Sequence, residues 1–209
     1  MQWGIGESVL RYIARNAGEG STTLETGGGV STILFALLGA RHISINPGRD
    51  QIERLKSYCG ERAISLERVE FVVAKSEDYL PAADLPPLDL ALIDGDHAFP
   101  VPFLDWFYVQ RALRPGGILI NDDVHMWTGR VLADFLRAEP EWKVDARFMN
   151  SIAFRKLREA CAKEWHDQPY VAARSEGERM TRLRTALDLL RRGRLRDLRS
   201  RLRRAKSSG

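Results

Sequence analysis

The chain has 209 residues, of which 44% are hydrophobic and 29% charged, and its formal net charge is +4. This composition is that of a soluble globular protein, and the length suits one domain with a sizeable core. The chain shows neither an apolar run that could span a membrane nor the start of a signal peptide, and Cys59 and Cys161 cannot build a disulfide framework. We therefore expect a cytoplasmic protein with reduced thiols.

The charge is unevenly distributed. Residues 176–209 carry twelve Arg or Lys and four Asp or Glu, so this segment has a formal charge of +8 and the rest of the chain −4. We predict a core domain over 1–165, a linker over 166–177 and a basic helical tail over 178–209. Such a tail could be a solvated, partly amphipathic helix, or it could contact a second subunit in a homo-oligomer or an anionic membrane surface. Nucleic acid is a weaker expectation, since no base-reading motif is present.

Strands and helices are predicted to alternate as far as residue 138. Pro115, Gly116 and Gly117 are expected to end one of the helices. Alternation at these lengths favours an α/β fold with a doubly wound, Rossmann-like parallel sheet. The predicted elements are a helix over 6–17, a strand over 22–26, a helix over 30–38, a strand over 41–46, a helix over 49–58, a strand over 69–74, a helical turn over 76–80, a strand over 88–93, a helix over 101–113, a strand over 117–121 and a helix over 128–138.

The alternation ends with two strands, over 142–148 and 152–156, that are separated by only three residues. No helix fits between them, so the two strands must form an antiparallel hairpin. The sheet is therefore expected to be mostly parallel and to finish with one reversed strand at its edge.

A glycine-rich turn, Gly27-Gly28-Gly29, follows the first strand and opens a helix. Glycine allows a sharp turn and a close approach of a ligand to the main chain. The free amide groups at the start of the helix can then bind polar groups of that ligand. A tight connection between strand and helix would need the same residues, so the turn by itself leaves both interpretations open.

Carboxylates and imidazoles follow two strands that are predicted to be buried and parallel. Asp94, Asp96 and His97 follow the strand over 88–93, and Asp122, Asp123 and His125 follow the strand over 117–121. The carboxyl ends of parallel strands meet at one edge of the sheet, where these acids would repel one another without protons or a cation. Magnesium needs only a few carboxylates together with water or substrate oxygens. The pattern predicts a metal-assisted active site, although each acid alone could be a helix cap or a surface charge.

These motifs resemble the class I S-adenosylmethionine-dependent methyltransferases, and more closely the metal-dependent small-molecule O-methyltransferases such as the macrocin O-methyltransferase-like sugar enzymes. The resemblance extends over about residues 8–156 and is carried by residues 24–32, 74–80, 90–97 and 114–125. It implies S-adenosylmethionine and Mg²⁺ (or another divalent cation) as cofactors. It also implies that the methyl acceptor is a hydroxyl of a small molecule, a sugar or another vicinal diol.

The resemblance assigns roles to particular residues. It implies metal ligation by Asp94, Asp122 and Asp123. It leaves the catalytic base open between Asp96, which matches the base of the sugar enzymes, and His97, whose position matches a catalytic lysine of catechol enzymes and whose unperturbed pKa suits proton transfer near neutrality. The cofactor contacts that it implies are Glu25, Gly27, Gly29, Ser31, Asn46, Ser76, Glu77 and Asp94.

One position departs from the family pattern. Asn46 stands where an acid normally holds both ribose hydroxyls, and an amide cannot make the stronger charge-assisted bonds, although Asp50 lies close enough in sequence to compensate. This departure keeps open a non-catalytic methyltransferase-like binding or assembly module. A Rossmann oxidoreductase is a weaker alternative, as is a non-haem iron site that uses His97 and His125.

Overall fold

A computed structural model describes residues 5–159, 163–175 and 191. The chain divides into two units, Met1–Ala162 and Lys163–Gly209, of which the first contains the sheet. In these described ranges there is no helix with both the length and the apolar character needed to cross a membrane.

The predicted alternation of strands and helices is present in the first unit, and most elements begin and end within a few residues of the expected positions. The central strand β4 is buried along almost its whole length, as expected for a strand covered by helices on both faces. In chain order the elements are α1 (Glu7–Asn16), β1 (Thr22–Thr26), α2 (Val30–Leu37), β2 (Arg41–Ile45), α3 (Arg49–Glu61), β3 (Val69–Val72), α4 (Ser76–Tyr79), a 3-10 turn (Leu80–Ala82), β4 (Leu88–Ile93), α5 (Val101–Ala112), β5 (Leu113–Asn121), α6 (Trp127–Ala138), β6 (Trp142–Arg147) and β7 (Ile152–Lys156).

The seven strands form one sheet in the order β3-β2-β1-β4-β5-β7-β6. Strands β1 to β5 are mutually parallel, and β7 runs antiparallel to both β5 and β6, so the mostly parallel Rossmann-like sheet with a terminal hairpin is confirmed. The reversed strand is not at the edge, however: β7 lies between β5 and β6. Because β7 is buried at four of its five positions while β6 alternates with exposed residues, the more apolar strand takes the interior place.

The segment that was expected to end the fifth helix lies in a strand. Helix α5 ends at Ala112 and β5 begins at Leu113, four residues earlier than predicted. Leu88 of β4 pairs with Leu113 but Leu90 pairs with Ile118, so Arg114–Gly117 form an irregularity in the ladder where Gly116 has a φ of 85°. Proline and glycine interrupt the regular pairing here instead of separating two elements.

The core joins the central strands to the flanking helices. Apolar side chains of α1 and α2 pack against those of β4 and β5, and Phe35 is fully buried among them. The strand order reverses between β1 and β4, since β1 continues to β2 on one side and β4 to β5 on the other. In parallel α/β sheets, ligands bind in the crevice at the carboxyl ends of the strands beside such a reversal.

The second unit is described over residues 163–175 and 191. It contains a 3-10 turn at Trp165–Asp167 and a short helix, α7 (Pro169–Ser175). The turn begins one residue before the predicted linker, and α7 lies within it. Apart from residue 191, the predicted basic tail over 178–209 lies outside the described residues, as does Cys161. The boundaries 1–165, 166–177 and 178–209 therefore stay predictions.

Candidate active site

The glycine turn lies where β1 and β4 approach each other most closely. Gly27 has a φ of 97°, and a Cβ at this position would overlap the carbonyl oxygen of Asp94. A Cβ on Gly28 would lie 2.9 Å from the hydroxyl oxygen of Ser44 on β2. A side chain at Gly27 would therefore meet backbone atoms, whereas one at Gly28 would require the Ser44 hydroxyl to move, and the turn brings the main chain of β1 directly against the end of β4.

The buried carboxylate of Glu25 holds the glycine turn against the start of α2. Glu25 accepts hydrogen bonds from the Ser31 hydroxyl at 2.6 Å and from the Thr32 hydroxyl, both in the first turn of α2. The Nε2 atom of His42 lies 3.1 Å from the same carboxylate, and all four side chains are buried. Glu25 and Ser31, which were predicted as cofactor contacts, thus lie behind the turn and hold α2 in place. Direct contact between either residue and a cofactor stays a prediction.

A cavity of about 320 Å³ opens beside the turn, at the carboxyl ends of β1, β2 and β4. It is the crevice expected at the strand reversal. Among the residues predicted to bind the cofactor, those in its wall are Gly27, Asn46, Ser76, Glu77 and Asp94. Gly28, Gln51, Lys75 and Gly95 also line it and were not predicted.

Two amide side chains shape the part of the cavity next to α3. The Asn46 Oδ1 atom accepts a hydrogen bond from the Gly48 backbone N–H at 2.8 Å, which turns the chain into α3. The Gln51 side chain donates from Nε2 to the Gly28 carbonyl at 2.5 Å. The sequence around Gln51 does not indicate this contact, because the contact depends on α3 packing against a turn that lies more than twenty residues earlier.

The acidic segments after β4 and β5 are held side by side by the backbone. The Asp94 N–H donates to the Thr26 carbonyl at 3.1 Å, and the Asp122 N–H donates to the Ile93 carbonyl at 3.0 Å. A Cβ on Gly129 of α6 would lie 2.6 Å from the Asp123 carbonyl oxygen, so α6 is pressed against the second segment. The predicted convergence of the two acidic segments is therefore present.

Three side chains of this cluster point to one place. Asp94, His97 and Asp123 each offer a ligand atom, and these atoms all lie within 4.8 Å of one another. The Nε2 atom of His97 is 3.0 Å from Asp123 Oδ2, and the Nδ1 atom of His125 is 3.4 Å from Asp123 Oδ1. Asp123 therefore interacts with both imidazoles, and its backbone adopts a φ of 49°, which is uncommon outside glycine.

The other two predicted acids have different surroundings. Asp122 is buried, and its Oδ1 atom accepts a hydrogen bond from the Ser151 hydroxyl in the turn between β6 and β7. Asp96 is exposed at the rim of the cavity, and its Oδ1 atom accepts the Ala98 N–H at 2.8 Å. Asp122 therefore lies beside the group of three, and Asp96 lies on the side of the cavity next to the glycine turn.

Burial and mutual repulsion oppose ionisation in this cluster. The pKa of Asp94 is raised to about 8, chiefly by burial and further by the negative charges of Asp122, Glu25 and Asp123. Burial also raises the pKa of Asp122, against the hydrogen bond from Ser151, which lowers it. A bound cation would favour the ionised form of both carboxylates.

Two large aromatic side chains stand exposed beside the histidine. Phe99 follows His97 by two residues and Trp127 begins α6, and their exposed fractions are 65% and 64%. The ring centroids are 5.8 Å apart. The Thr128 hydroxyl donates to the His97 carbonyl at 2.5 Å and so ties the two loops together. This pair forms an apolar rim next to the polar cluster.

The raised pKa of Asp94 predicts a pH-dependent loss of stability. The folded state binds the Asp94 proton more tightly than the unfolded state, so stability falls as the pH rises from about 4 to about 8. In buffer with EDTA at about pH 7.5, we expect Asp94→Asn to raise the free energy of unfolding by about 2 to 4 kcal/mol, and the gain should shrink toward pH 4. Urea unfolding at each pH measures the free energy of unfolding. Asp84→Asn, on an exposed loop, is the control and should change little, and a destabilised Asp94→Asn protein would contradict the prediction.

Residues 24–124 match a protein family described as a methyltransferase domain. Among curated proteins none matches the chain. The match begins in β1 and ends just after the second acidic segment, so it contains the glycine turn, the cavity and the cluster of Asp94, His97 and Asp123.

Several solved structures share the fold. Cofactor-bound Rv0187 from MTB superposes with a TM-score of 0.64 at 20% identity, over 77% of this chain and 84% of that one. The O-methyltransferase TomG from Streptomyces achromogenes, in complex with S-adenosylmethionine, has a TM-score of 0.57 at 19% identity, over 75% and 82%. A methyltransferase from Geobacter sulfurreducens has a TM-score of 0.59 at 17% identity, over 73% and 80%. Residues 24–124 thus resemble a methyltransferase domain, and the sheet of this chain is the Rossmann-like methyltransferase sheet that these solved structures share.

Proposed function

We propose that the protein transfers the methyl group of S-adenosylmethionine to a hydroxyl oxygen of a small molecule, with His97 as the base that takes the hydroxyl proton. The observation that carries this proposal is the pairing of His97 with Asp123, at 3.0 Å, next to the cavity that contains Asp94. An oxygen acceptor is also supported by the likeness to TomG, which is an O-methyltransferase. The finer resemblance to macrocin O-methyltransferase-like sugar enzymes stays a prediction.

The cavity residues fit the cofactor. Gly27 and Gly28 leave main-chain groups open to a ligand, Asn46 offers an amide for ribose hydroxyls, and Ser76 and Glu77 stand on the side expected for adenine. Bound S-adenosylmethionine supplies an electrophilic methyl group. Because methyl transfer is a direct displacement, the main task of the chain is to align the acceptor oxygen with that group.

His97 suits the role of base better than Asp96 does. Asp123 can hold the imidazole in one orientation and stabilise it once it is protonated, as the acid of a nucleophile–histidine–acid triad does. Asp96 instead accepts a backbone hydrogen bond at the cofactor side of the rim. The resemblance to sugar enzymes would instead make Asp96 the base.

A divalent cation fits the acidic cluster. We assign Asp94, Asp122 and Asp123 as its ligands, because a hard cation such as Mg²⁺ prefers oxygen donors and this choice leaves His97 free to take the proton. Burial and the negative charges of its neighbours raise the pKa of Asp94, and a bound cation would offset both effects. The cation would orient the acceptor and lower the pKa of its hydroxyl. If His97 is the third ligand instead of Asp122, Asp96 becomes the base.

The aromatic rim is the natural wall for the acceptor. Phe99 and Trp127 expose apolar area within a few residues of His97 and Asp123, and Thr128 fixes the rim to the His97 loop. A flat ring that carries vicinal hydroxyls could rest on this surface while its oxygens reach His97.

The assignment of the base predicts a specific loss of catalysis. With S-adenosylmethionine, Mg²⁺ and a panel of catechols and sugars, we expect methyl transfer by the unaltered protein and a decrease in kcat of about 10²- to 10⁴-fold for His97→Ala. Asp96→Asn is the matched comparison and should lose much less. The affinity of His97→Ala for S-adenosylhomocysteine, measured by calorimetry, should stay within about threefold of the unaltered protein, because His97 does not line the cofactor cavity.

Different outcomes identify different errors. Loss of kcat in Asp96→Asn but not in His97→Ala would exchange the two roles. Binding of S-adenosylhomocysteine without transfer to any hydroxyl would favour the non-catalytic module. Binding of NADH in place of S-adenosylhomocysteine would favour the oxidoreductase.

The ligand assignment predicts which variants lose the cation. Calorimetric titration with Mn²⁺ should show at least about tenfold weaker binding in Asp94→Asn and Asp123→Asn, since each removes a charged oxygen donor. Asp122→Asn should weaken binding similarly, whereas His97→Ala should not. Weaker binding in His97→Ala together with unchanged binding in Asp122→Asn would make His97 the third ligand. Full methyl transfer in excess EDTA would contradict a role for the cation.

The rim predicts a selective effect on the acceptor. We expect Trp127→Ala to raise the KM for a cyclic acceptor about tenfold or more by removing apolar contact area, and to leave the affinity for S-adenosylhomocysteine unchanged. Leu37→Ala serves as the control, because it removes another exposed large apolar side chain at the end of α2 opposite the glycine turn. An unchanged acceptor KM in Trp127→Ala would place the acceptor elsewhere.

A further inference from the structure

Two neutral amide side chains line the cavity where the chain passes from β2 into α3. Asn46 directly follows β2, Gln51 lies in the first turn of α3, and both are in the cavity wall. Asp50, the acid that stands close enough in sequence to compensate for Asn46, is exposed and does not line the cavity. The lining part of the segment 45–51 therefore presents two amides to a ligand and no carboxylate.

The backbone partners of the two amides fix their orientation. The Gly48 N–H can only donate, so the atom of Asn46 that it meets at 2.8 Å is the oxygen Oδ1. The Gly28 carbonyl can only accept, so the atom of Gln51 that lies 2.5 Å from it is the nitrogen Nε2. The remaining polar atoms, Nδ2 of Asn46 and Oε1 of Gln51, have no hydrogen bond to a described residue.

The two amides lie between the glycine turn and the start of α3. A Cβ on Gly28 would lie 3.1 Å from Asn46 Nδ2, and a Cβ on Gly48 would lie 3.5 Å from Gln51 Oε1. The free donor is thus on the side of the glycine turn, and the free acceptor is on the side of α3. One donor and one acceptor on the same wall suit a pair of vicinal hydroxyls, because each hydroxyl can both donate and accept.

We propose that Gln51 is a specificity-determining residue for the cofactor, and that it binds the ribose of S-adenosylmethionine together with Asn46. Gln51 Oε1 accepts a hydrogen bond from one ribose hydroxyl, and Asn46 Nδ2 donates to the other. Doubly wound sheets that bind adenosine cofactors place the ribose about twenty residues after the glycine turn, usually against a single acid. In this chain two neutral side chains from different elements share that task. The inference rests on the proposed function for the identity of the cofactor alone, and is independent of the acceptor, the cation and His97.

The bond from Gln51 to Gly28 gives this side chain a second effect, which the test has to separate. A substitution that moved the glycine turn would weaken the binding of every ligand of the cavity by the same factor. Loss of a ribose contact instead matters only when the hydroxyl is present. The ligand is therefore varied together with the protein, with S-adenosylhomocysteine and its 2′-deoxy and 3′-deoxy analogues as the probes.

Calorimetry gives the Kd of each probe for the unaltered protein and for Gln51→Met, which has a similar length and helix propensity but no strong donor or acceptor. We expect the unaltered protein to bind each deoxy analogue about five- to tenfold more weakly than S-adenosylhomocysteine. Gln51→Met should bind S-adenosylhomocysteine about tenfold or more weakly. In this variant the absence of one hydroxyl should cost less than about twofold, because its partner is already lost, while the other hydroxyl keeps its full effect through Asn46.

Asp50→Asn is the matched comparison, since Asp50 directly precedes Gln51 on α3 and does not line the cavity. It should leave the Kd of all three probes within about twofold of the unaltered protein. Thermal unfolding reports the stability of each variant separately. In turnover, Gln51→Met should raise the KM for S-adenosylmethionine and leave the KM for the acceptor unchanged.

Several results would overturn the proposal. An unchanged Kd in Gln51→Met would remove the contact, and a loss by one common factor for all three probes would leave Gln51 as a support of the glycine turn only. A loss in Asp50→Asn that disappears with one deoxy analogue would give the role to Asp50. If Gln51→Met does not fold, Gln51→Ala decides by the same comparison.

Failure of this inference differs from failure of the proposed function. If the unaltered protein binds S-adenosylhomocysteine and Gln51→Met binds it equally well, the ribose contact alone is wrong. If the unaltered protein binds none of the three probes, the proposed function fails and the ribose contact with it. If the protein binds the probes as expected but methylates no hydroxyl, the proposed acceptor is wrong and the role of Gln51 stands.

Discussion

The site depends on the close approach of Gly27 to the carbonyl group of Asp94. With no room for a Cβ between them, the end of β1 and the end of β4 are in direct main-chain contact, and the cavity beside the turn includes the first residue of the acidic cluster. Asp94 can therefore face both the cofactor and the reacting groups. Because ladder hydrogen bonds continue from Asp94 to Thr26 and from Asp122 to Ile93, the rigid centre of the sheet fixes this geometry.

The same region concentrates negative charge where water is scarce. Asp94, Asp105 and Asp122 all have raised pKa values with burial as the largest cause, and only Asp122 has a close hydroxyl bond in compensation. Strongly perturbed acids in a cleft are typical of functional sites, because folding alone does not favour them. In contrast, Glu25 is equally buried but has Ser31, Thr32 and His42 around it, so its charge is used to hold the glycine turn.

Most of the fold could be predicted from local patterns, and so could the meeting of the two acidic segments at one edge of the sheet. The hairpin after α6 and the acids after β4 and β5 depend on spacing within a few residues, which the sequence displays directly. The roles of individual side chains were harder to predict from the sequence. Glu25 and Ser31 have the position of cofactor residues in the motif but point into the core, and Gln51 reaches Gly28 only because α3 packs against the turn. Asp105 carries no local signal that separates it from an exposed acid on a surface helix, yet it is fully buried.

The sequence by itself determined the alternation of strands and helices, the glycine turn and the presence of acids at two strand ends. These follow from the period of apolar residues and from backbone limits that act over a few bonds. Only the tertiary structure decided that His97 pairs with Asp123, that Asp122 turns toward Ser151 and that β7 lies inside the sheet. Those outcomes depend on which distant segments meet and on the side-chain rotamers that the packing there allows, and local spacing does not specify either.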